Sequence, residues 1–198
     1  STDAQLTKFH GTYLQDNRDE RKALLKERKE KAFSFMIRVR VPGGVCTPAQ
    51  WLGIDELSDK FADGTLKLTT RQAFQLHGIL KRNLKQTMKE INDTLLDTLA
   101  ACGDVNRNVM SPSNPFESSL HGDALSLAQD IHDHLTPQTT AYAEIWLDEE
   151  KISVGERVIE PIYGKTYLPR KFKIAVALPP RNDVDVFSNC LGYVGIAE

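Results

Sequence analysis

The sequence predicts an α+β protein whose first unit runs β-α-β-β-α, two helices lying on the apolar face of a small sheet, with a second unit after it. Three observations predict this. Residues 33–41 alternate strictly, with Phe33, Phe35, Ile37, Val39 and Val41 on one face and Ser34, Met36, Arg38 and Arg40 on the other, which is the period of a half-buried strand. Two later stretches change to helical spacing behind capping signals. Dense turn residues after Gly103 then mark a change of unit.

In chain order, residues 1–32 read as a charged arm. Asp16 to Lys31 carries twelve charged residues in sixteen, with Leu24 and Leu25 as its larger apolar anchors, so it has no core face and a Glu27 to Lys31 pair adds only a few tenths of a kcal/mol to a helix. The alternating strand ends at Pro42-Gly43-Gly44. Thr47-Pro48-Ala49-Gln50 supplies an N-cap, a proline at the first helical position and a capping-box glutamine, and Trp51, Ile54, Leu57 and Phe61 follow until Asp63-Gly64 turns the chain. Short strands are expected at residues 66–70 and 73–78. A second helix is expected to start at Asn83, with Gln86 as capping partner, and to run through Leu84, Met88, Ile91, Leu95, Leu99 and Cys102 to Gly103. Residues 33–103 thus form the first unit and 104–198 the start of the next. In that second unit, Leu120, Ala124, Leu127, Ile131 and Leu135 mark a helix closed by Pro137. Strands are expected at residues 141–147, 171–178 and 193–197, with a loop or small hairpin over 148–165.

The chain has 198 residues, 40% of them hydrophobic and 26% charged, enough to bury about 70% of its unfolded surface and typical of a folded globular protein. Neither an ~18-residue apolar run nor a signal-peptide core is present in it, so a cytoplasmic setting is the expectation. With 25 basic and 27 acidic residues the net charge is -2, which leaves no global field for nucleic acid or an anionic membrane; any anion must be held locally. Cys46, Cys102 and Cys190 fit neither a disulfide framework nor a metal spacing and read as reduced thiols. Of the histidines at 10, 77, 121, 132 and 134, the last two diverge by about 200° on a helix, so no metal site is expected. There is no GxGxxG, phosphate loop or nucleophile elbow to indicate a nucleotide enzyme or a serine hydrolase.

The cations carry the most information. Arg38 and Arg40 share a strand face, roughly 7 Å apart. Lys171 and Lys173 repeat the spacing opposite Phe172, Ile174 and Val176, with the small Ala175 and Ala177 beside the amines as room for something bulky. Arg71, Gln75 and His77 form a third polar strip, and Arg107 stands in a segment with few apolar neighbours. Each strip alone is as compatible with a solvated strand face; converging, they suit a carboxylate-rich cofactor or a small oxyanion.

The strings FHGTYLQDNRD, IRVRVPGG, LTTRQAFQLHGIL, DVNRNVM, AYAEIWLDEEK and YLPRKFK occur in the order seen in the siroheme nitrite/sulfite reductase family, and from His10 to Glu198 the chain resembles its assimilatory, NADPH-dependent hemoproteins. The resemblance implies a ferredoxin-like half-domain followed by part of a mixed α/β siroheme domain. It also implies six-electron reduction of sulfite to sulfide on siroheme coupled to a 4Fe-4S cluster, with electrons from a flavoprotein (alpha) reductase subunit. The positions matching the family's sulfite-binding cations are Arg38, Arg107, Lys171 and Lys173. Those matching its partners for siroheme carboxylates are Arg71, Gln75, His77, Arg170 and Lys67, with Asn108 and Gln15 as additions; Lys67 stands where relatives carry arginine, which keeps the charge and loses the fork. Arginine holds charge and lysine can also give a proton, so the arginines are expected to clamp the anion and the lysines to clamp and deliver protons.

One departure is large: the family's two pairs of cluster-ligating cysteines have no match among Cys46, Cys102 and Cys190. The expectation is therefore an N-terminal portion of a longer hemoprotein, inactive alone, whose site is completed by the remaining C-terminal half. A non-catalytic anion-binding or interaction domain, and a nitrite reductase relative, are the alternatives.

Overall fold

The computed structural model describes residues 2–138, 145–147, 150–152 and 159–196. Its first unit is a four-stranded antiparallel sheet in the order β1-β2-β4-β3, built from β1 (Thr12–Asp16), β2 (Phe33–Val39), β3 (Leu66–Leu68) and β4 (Phe74–Ile79). The helices α3 (Pro48–Phe61) and α4 (Leu84–Asp93) cover one face of it, and two shorter ones, α1 (Thr2–Phe9) and α2 (Arg21–Lys26), flank β1 in sequence. From β2 onward the order is the expected β-α-β-β-α.

The apolar face closes as the alternation requires: Ile37, Val39 and Val41 pack with Phe74, Leu76 and Ile79 against Ile54, Leu57, Ile91 and Leu96. Each such side chain contributes about 1.5–3 kcal/mol by leaving water. Ile79 joins this face only through a register shift, since Ile37 pairs with Leu76 while Phe35 pairs with Ile79. The extra residue is accommodated at Gly78, whose φ of +79° is a conformation that L side chains rarely adopt. The α3 cap forms as expected, with Thr47 Oγ1 accepting from Gln50 N at 3.2 Å and Gln50 Oε1 accepting from Thr47 N at 2.9 Å.

Three expectations fail here. The second helix is half its expected length, because the chain leaves it at Thr94 and Leu95 takes a φ of 63° with 88% exposure. The next backbone groups bond across the fold: Arg40 N donates to Asp97 O at 2.8 Å and Ala100 N to Phe9 O at 2.7 Å. Nor does Asn83 cap it, since Gln86 turns outward to Glu90 instead. The N-terminal segment is also more than an arm. Residues 12–16 pair with β2 as the edge strand, and Phe9 is buried with Ala100 and Val105.

The second unit begins as residues 105–111 cross from the first. Helix α5 (Ser119–His134) lays Ala124 and Ala128 against Val109, Ile174 and Val176, while Leu120 and Leu127 of the expected stripe are exposed. Strand β7 (Ile174–Ala177) pairs in parallel with β8 (Leu191–Val194), and β5 (Ile145–Leu147) with β6 (Glu150–Ile152) forms a hairpin. Residues 141–144 and 197 of the expected strands lie outside the described residues. Both faces of β7 are buried. Met110, Val184 and Val186 pack on Ala175 and Ala177, so the space expected beside the lysines is filled by side chains of this chain.

Candidate functional site

Cross-strand register places Lys67, Gln75 and Arg38 in one row across β3, β4 and β2, on the face away from the helices. Arg38 and Gln75, which the sequence left in separate strips, are therefore neighbours on adjacent strands, with Lys67 beside them. With its amide turned so that both ends are satisfied, Gln75 Oε1 accepts from Arg38 Nη2 at 2.6 Å and Nε at 3.0 Å, and its nitrogen donates to His77 Nε2 at 3.2 Å. Burial, and then the charge of Lys67, hold His77 below the usual imidazole range, with Asp63 opposing.

The third nitrogen of Arg38 points to the start of the crossing segment. Arg38 Nη1 lies 3.1 Å from Cys102 Sγ and 3.5 Å from Ala101 O. The same carbonyl accepts from Arg107 Nη1 at 3.3 Å, and Arg107 Nε and Nη2 donate to Gly103 O at 3.1 and 2.8 Å. Two guanidinium groups from distant parts of the chain therefore share one backbone acceptor. Tyr13 of β1 is close enough to the Cys102 thiol to affect its charge; burial pushes the phenol up, and it pushes the thiol up although Arg38 and Arg107 pull it the other way.

Arg71 sits where the two units meet, donating to Asn108 O and Ile174 O, each at 3.3 Å, and to Asn189 Oδ1. Asn108 is engaged within the chain: its Oδ1 accepts from Val41 N at 3.0 Å, and Nδ2 reaches the carbonyls of Val41, Arg71 and Gln72 at 2.8–3.0 Å. Lys171 is exposed and Lys173 half-buried. Burial, then Arg71 and Lys171, lower the Lys173 amine, and Arg107 adds to this while Cys190 opposes it. Arg170 is exposed near Cys190, Lys67 faces Asp63 at 3.6 Å, and Gln15 is exposed on β1 opposite Ser34.

Arg107, Arg71 and Lys173 are thus within one another's electrostatic reach and Arg38 joins them through the carbonyl it shares with Arg107, whereas Arg40, which shares a strand face with Arg38, goes elsewhere. Its side chain is buried beneath the end of α5, donating to Thr136 Oγ1 at 3.1 Å and lying 3.6 Å from Asp97. His132 is buried beside it and pushed down to about 3 by burial and by that charge. Tyr13, Cys102 and the Ala101 carbonyl were missed by sequence reasoning. The available signal was the tyrosine two residues before Gln15, hidden once residues 1–32 were read as an arm.

Residues 26–94 match the family described as "Nitrite/Sulfite reductase ferredoxin-like half domain", and residues 126–198 match "Nitrite and sulphite reductase 4Fe-4S domain". The sulfite reductase [NADPH] hemoprotein beta-component of Anoxybacillus flavithermus is 62% identical over 197 residues, which is 99% of this chain and 34% of that protein. Its counterpart in Staphylococcus haemolyticus is 59% identical over 196 residues with the same coverage. Mycobacterium tuberculosis NirA superposes with a TM-score of 0.64 at 22% identity over 96% of this chain and 31% of that one. Dissimilatory sulfite reductase I superposes at 0.53 with 16% identity, over 85% and 33%. At these identities both likenesses concern the fold alone. The chain spans about a third of the length of the curated relatives it matches. With both matches in order along one polypeptide, and near 60% identity over almost all of it, the chain belongs to the nitrite and sulfite reductase family.

Proposed function

We propose that this chain forms the basic wall of a siroheme-dependent sulfite reductase, holding sulfite and the carboxylates of the cofactor during six-electron reduction to sulfide. The observation that carries the reading is the sharing of the Ala101 carbonyl by Arg38 and Arg107, with Arg71 and Lys173 close enough to influence each other's charge. Converging guanidinium and ammonium groups are a donor set for oxyanions.

Arg38 and Arg107 fix the anion electrostatically and keep their protons. Lys171 and Lys173 add charge and supply protons as oxygens leave as water. A lowered amine, as at Lys173, gives up its proton more readily than a free one. Among the described residues neither lysine amine has a hydrogen-bond partner within this chain, which fits a role toward an added group. Siroheme, when bound, supplies the iron and the electron path. Arg71, Gln75, His77, Arg170 and Lys67 would face its carboxylates; Gln15 stands at the rim, and Asn108 acts by fixing Val41 against Arg71. The 4Fe-4S cluster does not fit this chain: it needs four thiolates, and the chain owns three cysteines, one half-buried, one buried against Arg38 and one exposed. This chain therefore does not supply a full ligand set for the cluster, and by itself it is expected to be inactive; a flavoprotein (alpha) subunit would be the electron donor.

The test is steady-state turnover of sulfite, and of nitrite for comparison, by the polypeptide at the full length of its relatives with a chemical reductant. Arg107→Gln should raise KM for sulfite about tenfold or more, the loss of roughly 1.4 kcal/mol or more of anion binding. Unchanged kinetics in Arg107→Gln and in Arg38→Gln would overturn the reading.

A further inference from the structure

The amide of Gln75 has two ways to lie, and only one serves Arg38. With Oε1 toward Arg38 it accepts two guanidinium hydrogen bonds at 2.6 and 3.0 Å, and its nitrogen donates to His77 Nε2 at 3.2 Å. Turned over, Oε1 faces His77 Nε2 at the same 3.2 Å and the amide nitrogen faces Arg38. An imidazole nitrogen accepts only when it bears no proton, and in the protonated ring both nitrogens donate. The state of Nε2 therefore selects which end of the amide meets Arg38: bare, as in the neutral ring with its hydrogen on Nδ1, it accepts from the amide nitrogen, and protonated it calls for Oε1 instead.

We propose that Gln75 and His77 are positioning residues for Arg38, acting as a relay in which the neutral ring with its hydrogen on Nδ1 locks the guanidinium in place and the protonated ring releases it. Arg38 then keeps its two Nη1 contacts, to Cys102 Sγ and Ala101 O, and loses the two bonds that fix the plane of the fork. The inference rests on reading Arg38 as an anion clamp only for its functional meaning; the relay itself is a property of three side chains. The charged groups facing His77 are Lys67 from β3, Asp63 from the turn after α3, and Arg38 from β2. Burial and the two cations outweigh Asp63, which favours the uncharged ring at neutral pH and confines release to pH below the ordinary histidine midpoint.

The experiment is nitrogen-detected NMR of the 198-residue chain, following the ring nitrogens of His77 and the Nε–H of Arg38 from pH 8 to pH 5. The expected result is an unprotonated Nε2 at pH 7, and an Arg38 Nε–H resonance that shifts with the same midpoint as His77. Gln75→Ala should abolish the shift at Arg38 while His77 still titrates. In Gln75→Glu, which offers an acceptor at any ring state, Arg38 should stay locked throughout. A protonated Nε2 at pH 7, or an Arg38 signal indifferent to His77 titration in the unsubstituted chain, would overturn the relay. The clamp is tested separately, by the sulfite kinetics of Arg38→Gln in the polypeptide at the full length of its relatives. An Arg38 that follows His77 here, with those kinetics unchanged there, leaves the relay standing and counts against the clamp.

Discussion

His132 sets the steepest pH response expected of this fold. The ring is buried at the end of α5 beside the Arg40 guanidinium, its Nδ1 has no partner among the described residues, and burial with that charge pushes it down to about 3. Its unfolded value is near 6.5, so the unfolded chain binds a proton that the folded chain refuses. A group whose folded value is depressed in this way contributes stability above pH 6.5 and loses it as pH falls toward the folded value. Between about pH 7.5 and pH 5 the linkage relation gives a loss of about 2 kcal/mol from this one ring. Because pH 5 lies well above the folded value, the loss is governed by the unfolded titration alone. The assay is urea unfolding at several pH values in the native chain and in His132→Gln, which is neutral throughout. The variant is expected to be less stable at pH 7.5 but to show a flatter pH dependence, the difference between the two curves narrowing by about 2 kcal/mol at pH 5. Parallel curves would refute the reasoning, since carboxylate titrations are common to both proteins and cancel.

Asn108→Ala should cost about 3 kcal/mol or more in the same unfolding assay, because it strands the Val41 backbone amide and the carbonyls that Nδ2 now satisfies. Thr47→Ala removes one half of the α3 capping box and should cost about 1 kcal/mol. In the full-length polypeptide, Lys173→Met is expected to lower kcat more than it raises KM, and to flatten the alkaline limb of the kcat profile; a change confined to KM would reduce the amine to a binding role. The 198-residue chain purified anaerobically should contain no stoichiometric iron or acid-labile sulfide, as checked by metal analysis and methylene-blue assay.

Where a signal was local, the sequence was legible. The α3 boundaries, the strand alternation of residues 33–41 and the two short strands all follow from spacing and capping within a dozen residues. The end of α4 does not, because Leu95 and Leu99 keep helical spacing while Asp97 and Ala100 are claimed by hydrogen bonds to Arg40 and Phe9. Nothing in residues 94–103 records those partners. The same limit separates Arg38 from Arg40: both lie on one strand face, and partners far along the chain decide that one reaches Gln75 and Cys102 while the other is buried against Thr136 and Asp97. Gln75 and His77 were legible as a strip, but their link to Arg38 depends on which residues stand opposite one another across β2 and β4. In residues 1–32 charge density hid a strand, since an edge strand with exposed Leu14 and Gln15 has little apolar signal to give.

The carbonyl of Ala101 is the point on which two arginines agree, and it belongs to the main chain. No substitution of a side chain deletes it. Cys102 and Tyr13 can be exchanged by mutation and Gln75 replaced, yet Arg38 and Arg107 would still find the same oxygen as long as the turn at residues 100–103 keeps its path. That path is held by Ala100 N on Phe9 O and by the left-handed conformations of Ala100 and Gly103. The heritable weak point of the pairing is therefore the bend rather than the anchor: a β-branched residue at 100, or any side chain at 103, would part the two arginines without touching either one.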